Sequence, residues 1–160
     1  SERTLLYGVG VFKANSCRMV ISGGKMNVYE PDTRVTAFEM NGTLYVPSDA
    51  VMELMYGESK FEYDSNDNTV RIQSFDLMGR ELSDHRLTYT TLGSNEAKVN
   101  GKAVSLSAPV IAKDGIFYIP LTYLSECLGF ELWSENGLYS VSRYGSADVT
   151  AVKSAGAHIG

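Results

Sequence analysis

The chain has 160 residues, 44% of them hydrophobic and 21% charged, with a formal net charge of −5. Such a chain can bury a core as one large domain or two small ones, which excludes a largely disordered protein. The 19 acidic residues outnumber the 14 basic ones, and no run of Lys or Arg forms a patch, so we expect no nucleic-acid partner. No apolar run reaches the roughly 20 residues that span a bilayer, so we expect no membrane insertion.

The first quarter of the chain predicts antiparallel strands. Residues 5–12 and 17–21 are rich in β-forming side chains and predict a hairpin. Residues 25–29 and 34–40 alternate between apolar and polar side chains, as half-buried strands do. The second of these leads into Asn41-Gly42, which is a strong hairpin signal.

The segment after Pro47 predicts one short helix that ends at Gly57. Its apolar residues have the i, i+1, i+4, i+5 spacing of one helical face and are Ala50, Val51, Leu54 and Met55. Residues 60–63 and 69–73 then predict a closing hairpin. One unit of the chain therefore consists of strands, a helix and a hairpin.

The second half repeats this order. Residues 96–99 and 103–106 predict a hairpin around Asn100-Gly101, and a second amphipathic run follows Pro120. Because the segments 41–57 and 113–129 share their pattern, we predict a tandem duplication. The shared signature consists of Gly42, Pro47, Leu54, Gly57 and Tyr63 in the first copy, and of Gly115, Pro120, Cys127, Gly129 and Trp133 in the second.

We expect an α+β fold of two tandem repeats, each an antiparallel β-sheet with one short α-helix packed on it. The predicted divisions are a lead-in hairpin with the first repeat (1–78), a connector or inserted hairpin (79–95), the second repeat (96–144) and a linker-like tail (145–160). In the tail, we expect Val149–Val152 to add a strand to a sheet edge, in this molecule or in a neighbour.

The two units resemble a known family. The motifs of the second are Asn100-Gly101-Lys102, Tyr118-Ile119-Pro120, Leu128-Gly129 and Trp133, and looser counterparts in the first are Gly24-Lys25, Tyr45-Val46-Pro47, Tyr56-Gly57 and Tyr63. In this pattern the chain is similar, over roughly residues 18–143, to the copper amine oxidase N-terminal-like, or stalk-like, domain. The resemblance implies a non-catalytic accessory role in secreted and cell-surface proteins of Gram-positive bacteria, and no copper.

The residues agree with the absence of a metal or other cofactor. A type-2 copper site needs several imidazoles, and the chain has only His85 and His158. The segment 64–68 has the first oxygen ligands of a calcium loop but lacks its glycine and its bidentate glutamate, so we interpret it as a hairpin turn. We predict no catalytic residues. Cys127 is interpreted as a buried small hydrophobe, with a disulfide or a reactive thiol as alternatives.

The ten tyrosines and the tryptophan allow a binding role, because aromatic rings can stack on sugars. We expect Tyr63 and Trp133 to be core residues, and Tyr89 and Tyr144 to be the weak candidates for ligand contact. The predicted function is an extracellular, non-catalytic spacer or anchor that binds polysaccharide or cell wall. The alternatives are a protein–protein assembly module, through self-association or other surface proteins, and an accessory fragment of a polysaccharide-degrading enzyme.

Overall fold

The computed structural model describes residues 8–22, 26–29, 34–55, 59–74, 85–143 and 145–159. Within these ranges the chain forms fourteen strands and three short helices, and its strand pairs are antiparallel. This confirms the predicted α+β class. Gly57 and Tyr144 lie outside the described residues.

The elements of the first half are β1 (Val9–Lys13), β2 (Met19–Ser22), β3 (Met26–Tyr29), β4 (Phe38–Met40), β5 (Thr43–Pro47), α1 (Ser48–Met55), β6 (Lys60–Asp64) and β7 (Thr69–Ser74). The elements of the second half are β8 (Arg86–Thr91), β9 (Glu96–Val99), β10 (Lys102–Ser105), β11 (Ile111–Lys113), β12 (Ile116–Pro120), α2 (Leu121–Cys127), β13 (Glu131–Glu135), β14 (Leu138–Ser142) and α3 (Val149–Gly156).

The strands form three sheets, and each sheet joins strands from both halves of the chain. The first sheet has the order β13-β14-β1-β2-β3, the second β10-β9-β8-β7-β6 and the third β11-β12-β5-β4. In the third sheet β5 pairs with β12, and Val46 lies opposite Ile119. We expected each repeat to form its own sheet, and this expectation is wrong. The strands of one half instead complete the backbone hydrogen bonding of strands from the other half.

Two single strands occupy corresponding places in the first and second sheets. β1 lies between the hairpin β13–β14 and the hairpin β2–β3, and β8 lies between the hairpin β6–β7 and the hairpin β9–β10. The segment 79–95, predicted as a connector or inserted hairpin, thus contributes β8 to the middle of the second sheet. The neighbours of β8 in that sheet, β7 and β9, come from both halves of the chain.

Helices α1 and α2 pack in one main core between the sheets. The predicted apolar face of α1 is buried, and so is that of α2, which confirms both helical patterns. The side chains of Leu54 and Cys127 are 0% and 2% exposed. Around them lie Phe12 from the first sheet, Ile72 from the second and Ile119 from the third. One continuous core therefore holds the three sheets together.

The tail forms a helix, and the prediction of an edge strand at Val149–Val152 is wrong. Asp148 begins α3 as its N-cap and accepts a hydrogen bond of 3.1 Å from the backbone N–H of Ala151. The buried face of α3 consists of Ala151, Val152, Ala155 and Gly156, which repeat the i, i+1, i+4, i+5 spacing of α1. This face packs with Val9, Val11 and Val20 of the first sheet. Burial of that apolar stripe favours the helix over a strand.

Tight turns join several of the hairpins. In four of them both turn residues have positive φ, as a type I′ turn requires. These pairs are Asn41-Gly42, Asn100-Gly101, Asp114-Gly115 and Asn136-Gly137. The hairpins predicted at the first two pairs are confirmed by the pairing of β4 with β5 and of β9 with β10.

Candidate ligand-binding groove on the second sheet

The strand β8 presents one exposed aromatic side chain to solvent. Its residues alternate, so that Thr88 and Thr90 face the core while Tyr89 faces outward with 40% of its surface exposed. This alternation follows from the period-two geometry of a strand. This exposure is compatible with the sequence-based choice of Tyr89 as a weak candidate for ligand contact.

Charged side chains lie beside Tyr89 on the neighbouring strands. In the strand register, Arg71 of β7 lies opposite Tyr89 on one side and Lys98 of β9 lies opposite it on the other. The Arg71 Cζ is 5.9 Å from the centre of the Tyr89 ring, within the range of a cation–π interaction. The Arg71 Nη1 is also 3.7 Å from Glu62 Oε1 on β6. The aromatic ring is therefore flanked by two cationic side chains.

A groove of about 220 Å³ runs beside the ring of Tyr89. Most of its lining residues have polar side chains, and they include Thr69, Thr91, Ser94, Glu96 and Lys98 in addition to Tyr89. These side chains bring hydroxyls, a carboxylate and an ammonium group to one side of the ring. The groove can therefore combine apolar stacking with several hydrogen bonds, as sites for polar small ligands do.

Backbone hydrogen bonds hold the turn at the end of the groove. The N–H of Leu92 donates to the carbonyl of Asn68 at 2.9 Å, and the N–H of Gly93 donates to the carbonyl of Val110 at 2.9 Å. On the buried side, Thr90 Oγ1 donates to the carbonyl of Glu96 at 2.8 Å. The turn is thus tied to two other segments, and the groove is largely preformed.

The core side of β8 is held by a buried hydrogen-bond chain. The hydroxyl of Tyr123 donates to Thr88 Oγ1 at 2.7 Å, and that hydroxyl donates to the carbonyl of Ile72 at 2.9 Å. Burial raises the pKa of Tyr123, so the phenol stays neutral and keeps its donor proton. This chain connects α2 to the strand that carries Tyr89.

The other predicted chemical candidates occupy structural positions. Asp64 Oδ1 accepts a hydrogen bond of 2.9 Å from the N–H of Asn66, and Asp67 Oδ1 accepts one of 3.1 Å from the N–H of Thr69. These carboxylates stabilise the turn between β6 and β7, as the hairpin interpretation predicts. Across the described ranges, no group of three or more His, Cys, Asp or Glu side chains is placed to hold a metal ion.

Neither cysteine forms a disulfide in the part of the chain that the structure describes. Cys17 is half-buried, whereas Cys127 is buried in the main core, which confirms its interpretation as a buried small hydrophobe. Burial and, to a lesser degree, the charge of Glu126 raise the pKa of the Cys127 thiol to about 12. A thiol with such a pKa is a poor nucleophile near neutral pH.

Tyr63 and Trp133 border the core and are not fully inside it, which corrects the expectation for both residues. The Tyr63 ring lies 4.8 Å from the ring centre of Phe117, and its hydroxyl donates to Asn68 Oδ1. Trp133 is half-buried beside the cluster formed by β1 and α3. The two residues lie on edge strands of their sheets, where one side of each ring stays close to solvent.

The charged lining of the groove was not predicted from the sequence. Arg71 lies on β7, whereas Glu96 and Lys98 lie on β9, and only the strand register brings these two strands beside Tyr89. The alternation within residues 69–73 and 96–99 was the available signal, because it separates their outward side chains from the inward ones. Tyr144, the second candidate for ligand contact, is outside the described residues.

Comparison with protein-family models matches residues 25–142 to the copper amine oxidase N-terminal domain. Searches of curated proteins and of solved structures gave no match. The N-terminal domain of this family is a non-catalytic accessory domain. In the part of the chain that the structure describes, no helix is long and apolar enough to cross a bilayer. The match covers well over half of the chain, from β3 to β14, so the protein belongs to the copper amine oxidase N-terminal domain family.

Proposed function

We propose that the chain is a non-catalytic extracellular module that spaces or anchors a larger bacterial surface or secreted protein and binds glycan through the groove beside Tyr89. The observation that carries this proposal is the exposed ring of Tyr89 in a preformed polar groove. The family supplies the accessory, non-catalytic part of the proposal. The support for the proposed extracellular location is the resemblance of the motifs to domains of secreted and cell-surface proteins.

The chemistry of the groove suits a sugar ring. One face of a pyranose is lined by C–H groups and stacks on an aromatic ring, while its hydroxyls need donors and acceptors at the rim. Tyr89 supplies the aromatic face, Thr91 and Glu96 supply acceptors, and Lys98 supplies a donor. A large closed pocket is not needed, because a polysaccharide can cross an open groove.

We also propose that the chain holds two tandem copies of one unit. The support is the shared signature of Gly42 and Gly115, and of Pro47 and Pro120, together with the corresponding places of β1 and β8 in their sheets. Two copies that share their sheets would form a single rigid spacer.

The test of glycan binding uses a glycan array and a pull-down on purified bacterial cell-wall polysaccharide. Tyr89→Ala should abolish binding, because it removes the stacking surface. Met40→Ala is the matched control, since Met40 is an exposed apolar side chain of similar exposure, 39%, on the third sheet. Unchanged binding by Tyr89→Ala would show that the groove is not the site.

The second candidate is a protein–protein assembly module. The observation that favours it is the strand β4 at the edge of the third sheet, which among the described residues pairs only with β5 and carries the exposed Met40. Sedimentation velocity over a range of protein concentrations separates the two functions. Self-association that Met40→Lys abolishes, in a protein that binds no polysaccharide, would favour assembly.

A further inference from the structure

We infer that the groove beside Tyr89 recognises a sugar that carries a carboxylate, with the sugar ring stacked on Tyr89 and the carboxylate paired with Lys98. This inference rests on the proposed glycan binding and names the chemical class of the ligand. It follows from the charges next to the ring, and it excludes a preference for neutral sugars.

Lys98 is placed to receive an anion. It lies directly opposite Tyr89 in the register of β8 and β9, and it lines the groove as an exposed side chain. Among the described residues Lys98 makes no salt bridge. Its ammonium group is therefore available to a carboxylate of a ligand that lies over the ring.

Arg71 adds positive charge on the other side of the ring. Its guanidinium lies toward Tyr89, and its Nη1 is 3.7 Å from Glu62 Oε1, which is long for a charged pair. The Arg71 Nε is buried and has no hydrogen-bond partner. Glu62 thus offsets the charge of Arg71 in part, whereas no carboxylate in the described ranges forms a salt bridge with Lys98.

The acidic residue of the groove does not cancel this attraction. Glu96 and Lys98 are two residues apart on β9, so their positions differ by about 7 Å along the strand. A ligand carboxylate in contact with Lys98 lies at about half that distance from the ammonium group. Because the Coulomb energy falls with distance, a ligand carboxylate that contacts the Lys98 ammonium group and lies farther from the Glu96 carboxylate is attracted more strongly than it is repelled. Glu96 remains an acceptor for the hydroxyls of the next sugar.

The chain as a whole carries a net charge of −5, which disfavours nonspecific association with an acidic polymer. Recognition of an acidic sugar therefore has to be local. Among the described residues, Tyr89 is the only large hydrophobic side chain that is exposed on the second sheet. The strand register places the positive charges of Arg71 and Lys98 on either side of it.

The test uses isothermal titration calorimetry of the whole chain with a uronic acid tetrasaccharide and with its carboxyl-reduced, neutral counterpart. We expect the acidic form to bind at least tenfold more tightly. Lys98→Gln should reduce that ratio to about twofold or less, and Tyr89→Ala should abolish the binding of both forms. Lys60→Gln is the matched control. Lys60 is an exposed lysine on the same face of the second sheet as Tyr89, but it lies on β6, two strands away from β8.

The outcomes separate this inference from the proposed function. Equal affinity for the two forms, or a preference that survives Lys98→Gln, would overturn the recognition of the carboxylate and leave glycan binding at Tyr89 intact. Binding of only neutral polysaccharides in the pull-down would do the same. If Tyr89→Ala leaves the binding of both forms unchanged, the groove is not the binding site. Circular dichroism of each variant verifies that it is folded.

Discussion

The hydroxyl of Tyr123 donates a hydrogen bond to the hydroxyl of Thr88, and both side chains are fully buried. The bond joins α2 to β8 at the residue that precedes Tyr89. One strand thus has a polar anchor on its core side and the candidate groove on its outer side. The same strand register that buries Thr88 exposes Tyr89.

Removing this bond should lower stability by an amount that depends on which partner is removed. Tyr123→Phe should cost about 1 kcal/mol in the free energy of unfolding, because Thr88 keeps its bond to the carbonyl of Ile72. Thr88→Val should cost about 1–3 kcal/mol, since it leaves the Tyr123 hydroxyl buried without an acceptor. Urea unfolding followed by circular dichroism measures both. A smaller effect for Thr88→Val than for Tyr123→Phe would contradict this assignment.

Loss of the α3 cap should weaken the attachment of the tail to the first sheet. Asp148→Ala removes the side-chain acceptor for the N–H of Ala151 and should cost about 1 kcal/mol. Asp148→Asn is the control, because it keeps an acceptor oxygen at the same place. Trp133, the single tryptophan, borders the cluster beneath α3, so its fluorescence reports local loosening. Equal stability of the two variants would argue against capping by this side chain.

A substitution of Gly115, in the turn Asp114-Gly115, should measure the cost of a positive φ for a residue that has a Cβ. Gly115 has a φ of 78°, and a Cβ built there meets no atom within 4 Å. Gly115→Ala should therefore destabilise the protein by about 1–2 kcal/mol through the backbone alone. Asp114→Gly is the control, since glycine tolerates the positive φ of that position. Thermal unfolding compares the two, and a neutral Gly115→Ala would mean that the turn changes type.

Stability should fall in alkaline solution because of the buried Cys127. Its pKa is raised from 9.0 to about 12 in the folded chain. The unfolded chain therefore loses the thiol proton at a lower pH than the folded chain does. The protonated thiol contributes its full stabilisation below pH 9, and this contribution is lost between about pH 9 and pH 12. Urea unfolding at pH 8 and pH 10 tests this.

The matched variant for this test is Cys127→Ala. It should be less stable at pH 8, because it leaves a cavity in the main core, and it should lose less stability than the parent chain between pH 8 and pH 10. Tyr123 also ionises more readily in the unfolded state and contributes the same fall in both proteins. The difference between the two slopes therefore belongs to Cys127. Identical slopes would contradict a raised pKa.

Much of the local structure was predictable from residue spacing. The apolar residues of α1 and α2 recur at helical intervals, and the pairs Asn41-Gly42 and Asn100-Gly101 adopt the positive φ values that their side chains tolerate. These signals depend only on neighbours in the sequence. The helix α3 had the same spacing as α1 and was missed, because small polar residues around its apolar face gave the tail the composition of a linker.

The sequence by itself determined where the main helices form, which of their faces are buried and where several of the turns close, because the spacing and conformational preferences of adjacent residues decide those features. Only the tertiary structure decided which strands pair. A strand's edges offer the same backbone donors and acceptors to any partner, so the exchange of strands between the two halves depends on packing of the whole core. The groove beside Tyr89 depends on that pairing, since Arg71 and Lys98 reach the ring only through it.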